Sequence, residues 1–299
     1  MNHSVYLSDP GIYKKGGQFY YHSSNKKVSD IPTLTRLKSF RVPPAWKSVW
    51  YSTNKKCHVQ VHGVDQGGKK QYILSEAWVT HSRYKKYTRM KSFIKDLVSF
   101  RRLHKLNDTS PSFNNVMCLL FNLLMDTHIR VGNEKYTPRS YGLTTLRQKH
   151  YINGSFTFVG KSGIEHCVPV PDKYTSFLRK LKRNNPNDPL FWYSEGGNSI
   201  KTIHSEELND YLKKSMGKEY TCKDFRTYSA NVLFIKAFLK NVGLFNNRKE
   251  CILKSIDESA KQLGHSRNIS RKSYISDTLL DHCLETSSKE TFQTLLNLT

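Results

Sequence analysis

The chain has 299 residues and a net charge of +24, from 48 Lys and Arg against 24 Asp and Glu. That length accommodates two domains or one large one, each with its own core. The cations run from Lys14 to Lys289 and do not gather in one tail, which argues against a globule with a basic arm and for a folded surface that meets a polyanion. No basic amphipathic stretch dominates, so an anionic membrane surface is the weaker partner.

The six cysteines (Cys57, Cys118, Cys167, Cys222, Cys251 and Cys283) include no C-x-x-C pair, which speaks against a zinc site or a disulfide framework. Residues 1–5 lack an apolar signal core. The most apolar run, Val116 to Met125, is too short to span a bilayer. A reduced, intracellular, soluble protein is expected.

Residues 1–78 read as a β-rich domain. Phe19-Tyr20-Tyr21 precedes a turn at Ser23-Ser24-Asn25, and Pro43-Pro44 breaks the chain. Val59-Gln60-Val61 leads through Gly67-Gly68 into Gln71-Tyr72-Ile73-Leu74. Here Lys69 and Lys70 are placed to meet phosphates, with Gln71 and Tyr72 at base edges. An ordinary strand with a basic solvent face fits the same residues equally well.

A basic stretch, 80–89, is taken as the link to a second domain, 79–299. Met90, Phe93, Ile94, Leu97 and Val98 then fall at helical spacing. Ser110-Pro111 signals a helix start, and the all-apolar run after it predicts a buried helix. It ends at His128-Ile129-Arg130-Val131-Gly132-Asn133-Glu134. Arg130 there either pairs with Glu134 or is held ready for a phosphate.

Ser140 to Arg147 is expected to begin a small antiparallel sheet. Asn153-Gly154 is a hairpin signal, and the turn Gly160-Lys161-Ser162-Gly163 puts Lys161 near a second hairpin tip. Gly160-Lys161-Ser162 is not a nucleotide loop: five residues, not four, separate Gly154 from Gly160, and they read as strand. Helices are predicted over Asp172 to Arg183 and Ser205 to Met216. Thr221 with Asp224 resembles a capping box, placing Arg226 in the first turns of a helix, against the helix dipole. A further helix through Ile252, Ile256, Ala260 and Leu263 stops at Gly264, leaving His265 just beyond its end.

His265 and Tyr274 flank Arg267, Arg271 and Lys272. A phenol in water ionises near pH 10; neighbouring cations favour the phenolate and also attract a phosphate. The hypothesis that follows is attack by Tyr274 on a phosphodiester. Taken singly, each of these residues has an ordinary structural use; their ordered set on a strongly basic chain is what gives them weight.

The ordered set closely resembles the poxvirus-type type IB DNA topoisomerases. It comprises Ile129 to Tyr136, Tyr141-Gly142-Leu143-Thr144-Thr145-Leu146-Arg147, Phe158 to Lys161, Lys223 to Tyr228, and Leu263 to Tyr274. Weaker likeness over Ile31 to Trp46 and at Gln71-Tyr72 carries it into the N-terminal domain. The resemblance implies an α+β fold forming a two-lobed clamp around duplex DNA. A small β-rich lobe would face a mainly helical catalytic lobe with a small antiparallel sheet. It also implies relaxation of supercoils through a 3′-phosphotyrosyl intermediate on Tyr274, strand rotation and religation. Arg130 and Arg226 match the two catalytic arginines, Lys161 the general acid, and His265 a further transition-state contact.

The chemistry suits those residue types. Two guanidinium forks and an imidazole can stabilise the charge of a pentacoordinate phosphorus. An alkoxide leaves poorly without a proton, which lysine can supply and arginine does not. The covalent link conserves the bond energy, so no ATP is expected, and fixed cations neutralise the phosphate, so no metal or other cofactor is expected either. Lys135 and Tyr136, Lys223, Arg267, Arg271 and Lys272 join Lys69 to Tyr72 as expected DNA contacts. Leu74 stands where the family often has a tyrosine, so a cleavage sequence does not carry over. A monomer without membrane or nucleotide partners is expected, in the virion and in the infected cell's cytoplasm. A tyrosine recombinase is the nearest rival, although Lys223 stands where recombinases usually carry histidine. A DNA-binding or packaging protein would bind with similar salt dependence but leave supercoils intact.

Overall fold

A computed structural model describes residues 9–106, 109–195, 199–217 and 220–285. The fold is α+β, with a small antiparallel sheet in the N-terminal region and a mainly helical C-terminal part. The chain divides into two compact units, Met1–Thr88 and Arg89–Thr299.

In the N-terminal unit, β1 (Ile12–Lys15), β2 (Gln18–Tyr21), β3 (Lys47–Tyr51), β4 (Val59–Val64) and β5 (Lys70–Leu74) form one sheet in the order β2-β1-β3-β4-β5. Strand alternation sorts its two faces. Ile12 pairs with Tyr51, Tyr51 with Val61 and Val61 with Ile73. This row forms a core with Phe19, Val28 and Leu37. Leu37 comes from α1 (Ile31–Ser39), a helix the β-rich reading did not anticipate, which Asp30 caps by accepting from Thr33 N at 2.9 Å. The intervening row pairs Trp50 with His62 and His62 with Tyr72. Trp50 stacks on His62 with centroids 5.0 Å apart.

Helix α2 (Glu76–Leu103) contains the division between the units. The basic stretch 80–89, expected as a link, is helical throughout. Lys and Arg are good helix formers, and the run contains neither Gly nor Pro. Met90, Phe93, Leu97 and Phe100 form its buried stripe.

In the second unit, α3 (Phe113–Thr127) is the core helix, with Val116, Met117, Leu119, Leu120, Phe121, Leu123 and Leu124 at most 2% exposed. Its cap is Ser112, whose hydroxyl accepts from Asn115 N at 3.3 Å. The expected start at Ser110-Pro111 therefore lies just ahead of the helix. Residues 140–147 do not begin the sheet as expected. They hold a 3-10 turn at Leu143–Thr145, a second follows at Gln148–His150, and the sheet is β6 (Tyr151–Ile152), β7 (Ser155–Val159) and β8 (Glu165–Pro169) in that order. Asn153 and Gly154 make the β6-β7 turn with φ of 47° and 74°, both positive as a tight type I′ hairpin requires.

Of the helix expected over Asp172 to Arg183, only α4 (Thr175–Lys180) is α-helical, after a 3-10 turn. Strands β9 (Trp192–Ser194) and β10 (Ile200–Thr202) pair, and α5 (Ser205–Met216) has the expected bounds. Helix α6 (Cys222–Asn241) is buried along most of its length. Its C-terminal half packs with α7 (Arg248–Gln262) and α9 (Asp277–Glu285) around Phe234, Phe238, Ile252 and Ile256. Between α7 and α9 lies the short α8 (Arg267–Ser273). All six cysteines are free thiols, and among the described residues no helix is long and apolar enough to cross a membrane.

Candidate active site

The site is built on the end of α3. His128 closes that helix in the left-handed conformation, φ 55°, and Arg130 follows two residues on, after the buried Ile129. Two backbone bonds then fix the extended segment: Leu143 N donates to Arg130 O and Thr144 N to Val131 O, both at 2.7 Å. The approach needs two glycines. A Cβ on Gly142 would sit 2.6 Å from Arg130 O and 2.5 Å from Gly132 N, and Gly132 itself has φ +95°. Thr144 Oγ1 adds a bond to Val131 O at 3.0 Å, and Tyr141 N donates to Val159 O at 2.8 Å. The 141–145 segment is thus a splint between the Arg130 segment and the β7-β8 hairpin.

Arg130 does not pair with Glu134. That carboxylate instead takes Arg147 at 3.0 Å. Arg130 lines a cavity together with His128, Lys161, His166 and Arg226, and among the described residues its lining holds no carboxylate.

Arg226 sits in the second turn of α6. The expected cap is present: Thr221 N and Oγ1 donate to Asp224 Oδ2 at 2.8 and 3.0 Å. Asp224 is in turn paired with Arg89 at 2.7 Å, so it is not available to Arg226. The Arg226 guanidinium, in a residue only 5% exposed, donates to the carbonyls of His128 and, at 2.7 Å, of Leu263. A third bond goes to His265 Nε2 at 2.7 Å, while its buried Nε has no partner. Burial and the nearby Arg130 push its pKa down to about 10, against an opposing pull from Tyr274. It remains a cation at neutral pH, held by two carbonyls, His265 and Tyr274.

Gly264, with φ +60°, ends α7 as expected and delivers His265. A guanidinium can only donate, so Nε2 of His265 accepts and the ring is neutral, with Nδ1 facing Ser270 Oγ at 3.4 Å. Burial, then Arg226 and Arg130, hold its pKa at about 3. Tyr274 closes α8, with Tyr274 N donating to Ser270 O at 3.0 Å and Asn231 Nδ2 donating to Tyr274 O at 3.0 Å. Its ring lies among Ala230, Leu233 and Leu263 and stacks on His265, centroids 4.4 Å apart.

Lys161 is exposed in the β7-β8 turn, where Ser162 and Gly163 have φ of 67° and 74°. Arg130, Lys161, Arg226, His265 and Tyr274 are therefore brought into one neighbourhood. The sequence reading missed His128, whose carbonyl anchors Arg226, and His166, whose ring enters the same cavity. Strand alternation could have flagged His166, because it is the cross-strand partner of Phe158.

The expected DNA contacts fare unevenly. In the N-terminal unit Lys69 and Lys70 are exposed, Tyr72 is 49% exposed, and the Gln71 amide is tied to Asp65 at 2.6 Å. In the second unit Lys135 and Tyr136 form an exposed 3-10 turn, and Lys223, Arg271 and Lys272 are also exposed. Arg267 is engaged: its Nε donates to Asp257 Oδ1 at 2.6 Å and its Nη2 to the other carboxylate oxygen.

A family model described as the catalytic core of eukaryotic DNA topoisomerase I matches residues 75–294, and one for the N-terminal domain of bacterial DNA topoisomerase IB matches residues 17–65. The chain belongs to the type IB DNA topoisomerase family, isomerases that act on DNA. DNA topoisomerase 1B of Acanthamoeba polyphaga mimivirus is 31% identical over 91% of this chain and 87% of its own length. DNA topoisomerase 1B of Vaccinia virus (strain Western Reserve) is 27% identical over 96% of this chain and 95% of its own. DNA topoisomerase 1 of Rabbit fibroma virus (strain Kasza) is 29% identical over 74% and 70%.

Proposed function

We propose that the chain relaxes supercoiled duplex DNA by reversible transesterification at Tyr274. The observation that carries this reading is a buried arginine, Arg226, with no carboxylate partner among the described residues, bonded to His265 while that ring stacks on Tyr274. In the forward step the Tyr274 oxygen bonds to phosphorus, the bond from phosphorus to the 5′-oxygen breaks, and the phenolic proton passes to solvent. Lys161 gives its proton to the departing 5′-oxygen. The 3′-phosphotyrosyl link holds one end while the other swivels, and the 5′-hydroxyl reverses the step.

Arg130, Arg226 and His265 stabilise the non-bridging oxygens, where removing one such donor lowers the rate about 10²- to 10³-fold. For that, Arg226 exchanges carbonyl partners for phosphate oxygens, and His265 shifts its proton to Nε2. Neither ATP nor a metal enters these steps. Lys69, Lys70, Gln71 and Tyr72 in the N-terminal unit, and Lys135, Tyr136, Lys223, Arg271 and Lys272 in the other, hold DNA. Arg267 joins them only by leaving Asp257. Residues 1–78 and 79–299 serve as the DNA-contacting and catalytic domains. One site cuts one strand, so the working form is a monomer. The viral relatives favour action in the virion and the infected cell's cytoplasm.

The test is relaxation of a plasmid in EDTA without nucleotide. Wild type should relax it and Tyr274→Phe should not. Relaxation by Tyr274→Phe would sink the mechanism, and wild-type binding without relaxation would favour a packaging role.

A further inference from the structure

We propose that His166 is a positioning residue whose ring is the spacer that seats the Lys161 turn against the Gly264-His265 turn. The proposal rests on the roles given above to Lys161 and His265.

His166 stands on β8 opposite Phe158, and its ring stacks on that phenyl at 5.0 Å and 16°. Held flat there, it fills the space beside two glycines far apart in sequence. A Cβ on Gly160 would lie 2.6 Å from ring Cδ2 and Nε2, and one on Gly264 would lie 2.4 Å from Cε1. Gly264 has a backbone reason to be glycine, since its φ is +60°. Gly160 has none: with φ −94° and ψ −167° it is extended backbone open to any residue, and the imidazole is what excludes a side chain. Each of these glycines directly precedes a residue of the site, Lys161 in one case and His265 in the other. The ring thus touches the peptide ahead of the proton donor and the peptide ahead of the phosphate contact, and sets the spacing between them.

Burial, Arg130 and Arg226 all lower the pKa of His166. A neutral ring suits a spacer among cations. A positively charged ring there would be repelled by both arginines, and a smaller side chain would let the hairpin turn settle towards α7.

The experiment uses single-turnover cleavage by the full chain at saturating enzyme, on a duplex site mapped from covalently trapped ends. Two substrates differ in one atom, with oxygen or sulfur as the 5′ bridging leaving group. A thiolate leaves without a proton donor, so sulfur removes the share of the rate that depends on placing Lys161. His166→Ala should slow the oxygen substrate about 10- to 100-fold, as expected for a misplaced catalytic group, and slow the sulfur substrate clearly less. His166→Phe, which keeps a flat ring on Phe158, should restore most of the rate.

Equal slowing of both substrates, no slowing at all, or a Phe variant no better than Ala would each overturn the proposal. Should His166→Ala not fold, Gly160→Ala decides in its place. The crowded turn should slow the oxygen substrate more than the sulfur one, and equal slowing overturns the proposal. Lys161→Ala on the same pair separates this idea from its premise. If sulfur does not relieve that variant, the role of Lys161 fails, independently of what His166 does.

Discussion

Two sets of cations in the C-terminal unit are built in opposite ways. Arg147 meets Glu134, Arg183 meets Asp188, Lys173 meets Asp126 and Arg267 meets Asp257. All are at least partly solvated and each has its own carboxylate. Arg226 is nearly buried and has two carbonyls and an imidazole instead. Arg130 shares its cavity with Lys161 and no acid. Burying a cation without an anion is unfavourable, and the fold surrounds Arg226 with two carbonyls, His265 and Tyr274. A cation paired within the chain supports the fold, whereas a buried cation left with dipoles is set for an outside anion.

The sharpest way to break this comparison is Arg226→Ala. The cleavage step should slow about 10²- to 10³-fold, while DNA binding, spread over many phosphates, should change far less. A parallel fall in both, measured by single-turnover cleavage and by filter binding, would make Arg226 one more DNA contact. Gly142→Ala should come next. Its Cβ must displace Arg130 O and Gly132 N, so stability should fall by about 1–3 kcal/mol in denaturant melts, and cleavage should fall with it.

Arg147→Ala should do little. A partly exposed pair is worth about 0–1 kcal/mol, and cleavage should stay near wild type. Arg267→Ala should likewise leave the cleavage rate intact and weaken DNA binding only if the guanidinium leaves Asp257 for a phosphate. A large loss of single-turnover rate in either variant would erase the distinction between the two sets.

A separate effect is on pH dependence. Burial lowers the pKa of His128 and of His150 to about 4. Above about pH 6.5 folded and unfolded chains both leave these rings neutral. As pH falls from 6.5 towards 4, the unfolded chain takes up protons that the folded one refuses, so stability drops across that window. Melting temperatures from pH 7.5 to 4.5 should fall, less steeply in His150→Asn. An equal slope in the variant would remove His150 from the account.

Local signals in the sequence carried a large part of the fold. The apolar run after residue 115, the Asn153-Gly154 turn, the Thr221-Asp224 cap and the Gly264 stop each state their structure within a few residues. The five proposed site residues were legible as an ordered set. Their juxtaposition was not, since Arg130, Lys161, Arg226 and His265 meet through long-range contacts such as Arg226 with His128 O, Leu263 O and His265. Arg130 offered Glu134 as a partner at close sequence range, and tertiary structure gave that acid to Arg147. The 80–89 stretch was read as a link because its charge hid a helix with few apolar residues. Strand alternation marks His166 only as the partner of Phe158; its meaning lies in the two glycines beside it, one of them nearly a hundred residues away.

The central claim is that the tyrosine stacked on His265 forms the bond to DNA. Covalent complexes formed by wild type should be trapped with denaturant, trimmed with nuclease and protease, and mapped by mass spectrometry. The account predicts a nucleotide joined through its 3′-phosphate to the peptide containing Tyr274. A nucleotide on any other residue, or a 5′-phosphate linkage, would contradict it.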